Sequence, residues 1–240
     1  NPNAKVLISD PSWENHRALF ESAGFTVGTY PYYDAENRGI NFAGLTATLK
    51  AAAAGTIVLL HACCHNPTGY DLTDAQWDEV IGIIKAQGLV PFLDMAYQGF
   101  GNGIAEDGQV VIKFLESGLS FFVSTSFSKS FSLYGERVGA LSIVSETAEE
   151  ASRVLSQLKR VIRTNYSNPP THGAQVVASV LTNPELRKMW EDELAEMRDR
   201  IKQMRTALVS ELTAAGVQGD LSYITRQKGM FSYSGLNAAQ

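Results

Sequence analysis

The sequence predicts an α/β protein built on a mostly parallel sheet with helices on both faces. Three observations carry that expectation. Short apolar, β-branched runs alternate with longer amphipathic stretches up to about residue 145. The composition is 45% hydrophobic and 19% charged over 240 residues, enough apolar matter for a sizeable core. Beyond residue 145 the pattern turns wholly helical and ends in a long run.

The strands are expected at 6–9, 26–30, 56–61, 89–94, 121–126 and 140–144. Between them, helices are expected at 15–23, 42–53, 73–87 and 109–116. The third of these is signalled at both ends. Thr73 with Gln76 has capping-box spacing, and Gly88 sits where a helix end favours a left-handed residue. Residues 146–163, 171–181 and 184–215 then read as helices. The last places Trp190, Leu194, Met197, Ile201, Met204, Leu208 and Leu212 three or four residues apart. A helix of about 30 residues spans roughly 45 Å, too long for one sheet face. It is expected to lead from a larger domain (1–183) into the start of a smaller one (184–240), whose first strand would be 223–234. Both ends look cut: the chain opens directly into an apolar run, and 236–240 reads as an asparagine cap with a helix start. A segment of a longer protein is expected.

Composition also excludes function classes. With 20 Lys and Arg against 25 Asp and Glu, and no basic run, the chain is a poor candidate for a general nucleic-acid binder. No apolar stretch approaches the roughly 18 residues of a membrane helix, and the N-terminal residues are not a secretory signal. Cys63 and Cys64 are adjacent, so a bridge between them would be strained. Two reduced thiols fit a cytoplasmic location.

In open α/β sheets, ligands sit beyond the carboxyl ends of the strands. The residues following the expected strands there are His65-Asn66-Pro67-Thr68-Gly69, then Asp94 with Tyr97, then Ser126 with Lys129, then Arg137-Val138-Gly139. An amide, a carboxylate, a phenol, an amine and a guanidinium therefore converge on one rim. Lys129 stands out among serines and phenylalanines. Desolvation lowers an amine's pKa, and a neutral amine can form a Schiff base with a carbonyl.

These motifs, in this order and spacing, resemble the fingerprint of class I aminotransferases, pyridoxal 5′-phosphate (PLP) enzymes of fold type I. The resemblance runs through the whole chain, including Ser12-Trp13-Glu14-Asn15-His16, Asn165-Tyr166-Ser167-Asn168-Pro169-Pro170 and Gly229-Met230-Phe231-Ser232. The aspartate and aromatic-amino-acid group is the most similar. Thr29-Tyr30-Pro31, the run 131–137 and Phe231-Ser232-Tyr233-Ser234-Gly235 look more like the bacterial aromatic-amino-acid enzymes. The resemblance implies a seven-stranded-type sheet, a homodimer with a shared active site, and transamination between an aromatic amino acid or aspartate and 2-oxoglutarate.

The resemblance also implies roles. Lys129 would hold PLP as an aldimine and shuttle the substrate α-proton. Asp94 would pair with the pyridine nitrogen, supported by His16. Opposite charges about 4 Å apart are worth about 4 kcal/mol at an effective dielectric near 20. Tyr97 and Asn66 would bond the phenolic oxygen, Arg137 and Ser126 the phosphate. Trp13 would stack on the ring and contribute, with Asn66, to the substrate site. Arg163 would reach from the partner subunit to a distal carboxylate, Ser167 would lie at that interface, and Phe231 would line the substrate pocket. In the family a phosphate loop and a tyrosine lent by the other subunit precede this stretch, and an α-carboxylate arginine follows it. The segment alone is therefore expected to be inactive. Asp10-Pro11 and Asn66-Pro67 are expected to be cis.

Three other readings are weaker. An aspartate-specific aminotransferase shares the same residues. A lyase or decarboxylase on this fold has no use for a distal-carboxylate clamp at Arg163. A non-catalytic α/β fragment that binds no cofactor would carry the motifs without the chemistry. His61-Ala62-Cys63-Cys64-His65 offers four metal-ligand types, but alternation along a strand keeps them from surrounding one ion. Gly99-Phe100-Gly101-Asn102-Gly103 lacks the strand-to-helix setting of a dinucleotide loop.

Overall fold

A computed structural model describes residues 3–234 of the chain, so the helix start expected at 236–240 lies outside the described residues. The chain begins β1 (Lys5–Asp10), α1 (Glu14–Ser22) and β2 (Thr26–Pro31), followed by a small hairpin, β3 (Tyr33–Asp34) and β4 (Gly39–Ile40). It continues α2 (Phe42–Ala51), β5 (Ile57–His61), α3 (Asp74–Gln87), β6 (Val90–Met95), α4 (Ile104–Glu116), β7 (Phe121–Ser126) and β8 (Gly139–Val144). Four helices follow: α5 (Ala148–Asn165), α6 (His172–Thr182), α7 (Pro184–Ala214) and α8 (Ser222–Arg226). Among the described residues no helix is long and apolar enough to cross a membrane.

Among the described residues six strands form the main sheet, ordered β2-β1-β5-β6-β7-β8, one fewer than the seven-stranded type the resemblance implied. All neighbours run parallel except β7 and β8. The central strands are covered on both faces, which is why they read as nearly continuous apolar runs. Alternation along β1 sends Val6 and Ile8 to one face, where they bury Phe20 of α1 with Leu59 of β5. The larger core lies on the other face, where α2, α3 and α4 contribute Leu45, Leu49, Trp77, Val80, Ile84 and Phe114 against Val58, Leu60 and Leu93.

Helix ends follow the expected chemistry. Thr73 and Gln76 make the reciprocal capping box, and Gly88 adopts φ 61° at the other end of α3. Such a cap is worth about 1 kcal/mol. The Asn183 side chain caps α7, with Pro184 in the first turn.

Two further expectations change. Helix α4 begins five residues before the expected 109, because the Asp107 carboxylate gathers the backbone N–H groups of Gly99, Gly101 and Asn102 at 2.8–2.9 Å. That glycine-rich loop therefore wraps its own carboxylate. Residues 223–234 are not a strand: Ser222–Arg226 is a short helix, and the following carbonyls point to a side chain. Arg205 of α7 takes those of Gln227, Gly229 and Phe231. The β3–β4 hairpin is too short to announce itself by alternation.

His65, just after β5, is fully buried. Its Nε2 contacts Ser9 Oγ and its Nδ1 contacts Thr68 Oγ1, both at 2.9 Å, and its ring stacks on Tyr32 at 3.9 Å. Burial, reinforced by His16, pushes its pKa down to about 3. Between that value and the unfolded one the unfolded chain binds the extra proton, so stability is fully present above the unfolded value and falls as pH drops. Going from pH 7 to pH 5 should cost about 2 kcal/mol through this group alone. Urea unfolding at both pH values measures it; His65→Gln should flatten the difference.

Candidate active site

Strand order reverses between β1 and β5, where a crevice opens beyond the carboxyl ends of the strands. A cleft of about 700 Å³ lies there, lined by Ser12, Trp13, His61, Asn66, Asp94, Tyr97, Ser126, Lys129, Tyr134, Arg137 and Phe231 among others. A groove of about 820 Å³ between α4, β8 and α7 is larger, but its lining lacks this set of convergent polar groups.

Register builds the floor of the cleft. Asp94 on β6 stands beside His61 on β5 and Ser124 on β7, so three polar side chains share one face near the strand ends. Asp94 Oδ2 lies 2.8 Å from His16 Nε2, and His16 Nδ1 lies 3.0 Å from Ser12 Oγ. A carboxylate only accepts, so Nε2 carries the hydrogen and donates. The Ser124 hydroxyl reaches Asp94 Oδ1 at 3.3 Å. Burial works to raise the Asp94 pKa. The His16 hydrogen bond, the neighbouring histidines and Ser124 outweigh it, holding the carboxyl below its usual range.

His61 completes this face. Its ring lies 5.0 Å from that of His16 and 4.3 Å from that of His65. Both its nitrogens are buried without a hydrogen-bond partner in the protein, and burial, with the two neighbouring imidazoles, depresses its pKa strongly.

Lys129 follows β7 and is partly buried. Its Nζ lies 4.9 Å from the Tyr97 ring centre and 5.7 Å from that of Tyr134. It forms no ion pair among the described residues. Burial lowers its pKa and Arg137 adds to the effect, against an opposing pull from Asp94. The Tyr97 phenol is pushed up to about 12 by burial, with Tyr134 and Asp94 contributing. Arg137 holds φ 53°, a left-handed conformation that costs a non-glycine residue about 1 kcal/mol. Its Nη1 donates to the Tyr134 carbonyl at 3.0 Å.

Another wall is the loop after β5. Asp71 accepts from the backbone N–H of Cys64 and of His65 at 2.8 and 2.9 Å, setting the turn that carries Asn66 into the cleft. The expected cis bonds at Asp10-Pro11 and Asn66-Pro67 are both present. Gly69 has φ 70°, and a Cβ there would sit 2.9 Å from Gln227 Cβ and 3.1 Å from the Phe231 carbonyl oxygen. Phe231 meets Tyr97 edge-on at 5.4 Å.

The family model for aminotransferase class I and II matches residues 1–240. An aspartate aminotransferase of Pseudomonas aeruginosa is 67% identical over 239 residues, 100% of this chain and 60% of the relative. An aromatic-amino-acid aminotransferase of Escherichia coli is 56% identical over the same 239 residues, again 60% of its length. Among solved structures, an aromatic-amino-acid aminotransferase from Burkholderia pseudomallei, covalently bound to pyridoxal phosphate, aligns with a TM-score of 0.98. It shares 65% identity and covers 100% of this chain and 60% of that one. The chain belongs to the class I and II aminotransferases. It spans about 60% of the length of these relatives.

The sequence-based site residues of this aminotransferase chain fall into two groups. Trp13, Asn66, Asp94, Tyr97, Ser126, Lys129, Arg137 and Phe231 line the cleft, with His16 bonded behind Asp94. Trp13 also meets His16 edge-on at 5.2 Å. Arg163 and Ser167 do not line it; they sit exposed at the end of α5, where the Arg163 guanidinium donates to Ser167 Oγ. Ser12, His61 and Tyr134 also line the cleft without having been assigned a role, and Ser124 bonds Asp94 from beside it. The signal for His61 and Ser124 was their position at strand ends flanking Asp94, which needs the strand register to be read.

The metal-ligand run also divides in this aminotransferase chain. Ligand atoms of His61, His16 and Asp94 lie within 4.8 Å of one another, as do those of Cys63, Cys64 and Asp107. In the first group the His16–Asp94 hydrogen bond occupies the atoms that would face an ion; in the second Asp107 is spent on backbone N–H groups.

Asp94 opposes the depression of the Lys129 pKa, so Asp94→Asn should lower that amine's pKa further. Titration of the Lys129 Cε signal by carbon-13 NMR, assigned with Lys129→Ala, measures the direction; an upward move contradicts the arrangement.

Proposed function

We propose that this chain carries the cofactor site of a PLP-dependent aminotransferase. The enzyme exchanges amino groups between an aromatic amino acid or L-aspartate and 2-oxoglutarate. The observation that carries this reading is a partly desolvated amine without an ion-pair partner, Lys129, sharing one cleft with an ionised carboxylate, Asp94.

The donor set fits the cofactor. Asp94 Oδ1 has only the long Ser124 contact, and the orphaned His61 nitrogens mark a wall that calls for further polar groups. When bound, pyridoxal phosphate supplies an aldehyde that bonds amines and a ring that accepts electrons. The groups on this chain would hold and orient it. Asp94 would hold a proton at the ring nitrogen, with His16 fixing the carboxylate that does so. Tyr97 and Asn66 would donate to the phenolic oxygen. Arg137, with its forked donors, and Ser126 would bind the phosphate. Trp13 would cover the ring. Lys129 Nζ takes the proton from the substrate α-carbon and returns it, which a lowered amine pKa favours at neutral pH. Phe231 walls the substrate side chain.

Arg163 and Ser167 act across a homodimer interface in this reading, with Arg163 meeting the distal carboxylate of a dicarboxylic substrate in the partner's cleft. The exposed Leu155 and Val161 on the same helix, 50% and 61% accessible, support an interface on α5. We assign residues 1–183 to the large domain and 184–240 to the helix between domains and the start of the small one. An aspartate-specific enzyme is the second reading, favoured by the name of the 67% identical relative.

Addition of PLP followed by borohydride should give a single adduct at Lys129 by intact mass and peptide mapping, abolished in Lys129→Ala; labelling elsewhere sinks the assignment. In the whole protein, Arg163→Leu should cost aspartate about 2–5 kcal/mol of transition-state binding and leave phenylalanine nearly unaffected. Equal losses in kcat/KM for both substrates would remove Arg163 from its role.

A further inference from the structure

We propose that Arg205, on α7, is a positioning residue that clamps segment 227–232 and so sets Phe231 against the cleft. The guanidinium is 5% exposed and has no carboxylate partner among the described residues. Its Nη1 donates to the Gln227 carbonyl at 2.7 Å, and its Nη2 to those of Gly229 at 2.7 Å and Phe231 at 2.6 Å. Its Nε reaches Ser232 Oγ at 3.2 Å. Four contacts thus serve one stretch of chain.

The pattern has a physical reading. The chain bends at Gly229, whose φ is 78°, and the carbonyls of Gln227, Gly229 and Phe231 converge on one guanidinium. A planar fork with several donors can meet all three at once, which an ammonium cannot do with the same geometry. Burying a cation without a counter-charge is costly, and the cost is met only while the carbonyls stay aligned. Burial indeed lowers the Arg205 pKa.

The opposite side of the segment is fastened to the loop that carries Asn66. The Lys228 N–H donates to the Gly69 carbonyl at 2.6 Å. A Cβ on Gly229 would come within 2.5 Å of Cys64 Cβ. The Gln227 side chain holds the Tyr233 backbone at both ends: its Nε2 donates to the Tyr233 carbonyl and its Oε1 accepts from the Tyr233 N–H, each at 2.8 Å. Phe231 then projects onto Tyr97, whose ring lies beside the Lys129 amine. A helix outside the cleft therefore sets the aromatic wall of the cleft. The consequence for substrate choice rests on the function proposed above: Arg205 governs how well the pocket receives an aromatic side chain.

The test uses the whole protein with Arg205→Lys, Arg205→Met and Ser232→Ala. Amide hydrogen exchange reads the segment, and the fluorine signal of Phe231 in 4-fluorophenylalanine-labelled protein, assigned with Phe231→Leu, reads the ring. Arg205→Lys should speed exchange at 227–232 by about ten-fold or more while β5 and α3 keep their protection. It should also shift or broaden the Phe231 signal, with Ser232→Ala changing both less. Should Arg205→Met fail to fold, the other two variants decide. Unchanged exchange overturns the clamp, and faster exchange with an unmoved Phe231 signal overturns the positioning role. In turnover, Arg205→Lys should raise KM for phenylalanine at least about three-fold more than for aspartate; equal changes overturn the effect on substrate choice. A wild-type protein with no transamination would overturn the functional reading instead, and the exchange and fluorine results would still judge the clamp.

Discussion

The site depends on keeping one largely buried carboxylate charged. Asp94 ends β6 in a setting whose low polarity favours the neutral acid. Its ionised form persists because His16 donates to one oxygen and Ser124 to the other. Parallel pairing supplies one neighbour, since register sets Ser124 beside Asp94. Helix α1 supplies the other, with Ser12 ordering the far side of the His16 ring. Losing any of these would leave a buried charge short of partners, which is far worse than losing an exposed ion pair.

That anion organises what faces it. Across the cleft, Lys129 is desolvated and sits near Arg137, both of which favour the neutral amine, while Asp94 favours the ammonium. The balance is a poised amine rather than a fixed salt bridge. Tyr97 shows the same logic from the other sign: burial and the Asp94 charge hold its phenol protonated, so it stays a donor well above neutral pH.

The walls come from distant parts of the chain. The loop after β5 and the segment 227–232 are locked face to face by close glycine contacts at Gly69 and Gly229. Both have positive φ, where a side chain would be strained as well as obstructed. Arg205 closes this arrangement from α7, so a helix that does not line the cleft is mechanically continuous with it.

Local chemistry was enough to determine much of this protein. The six long strands, the caps at Thr73 and Gly88, and the convergence of Asn66, Asp94, Tyr97, Ser126, Lys129 and Arg137 on one rim follow from hydrophobic period, turn residues and strand-end position. Those signals are written within a few residues of each other. What needed tertiary structure is what lies between elements. His61 and Ser124 join the site only through strand register. The start of α4 moved to Ile104 because Asp107 collects N–H groups from a loop before it. Residues 223–234 read as a strand, yet three of their carbonyls are satisfied by a guanidinium about twenty residues upstream in the chain. A backbone group must find a partner; the sequence names the group, and only the folded chain names the partner.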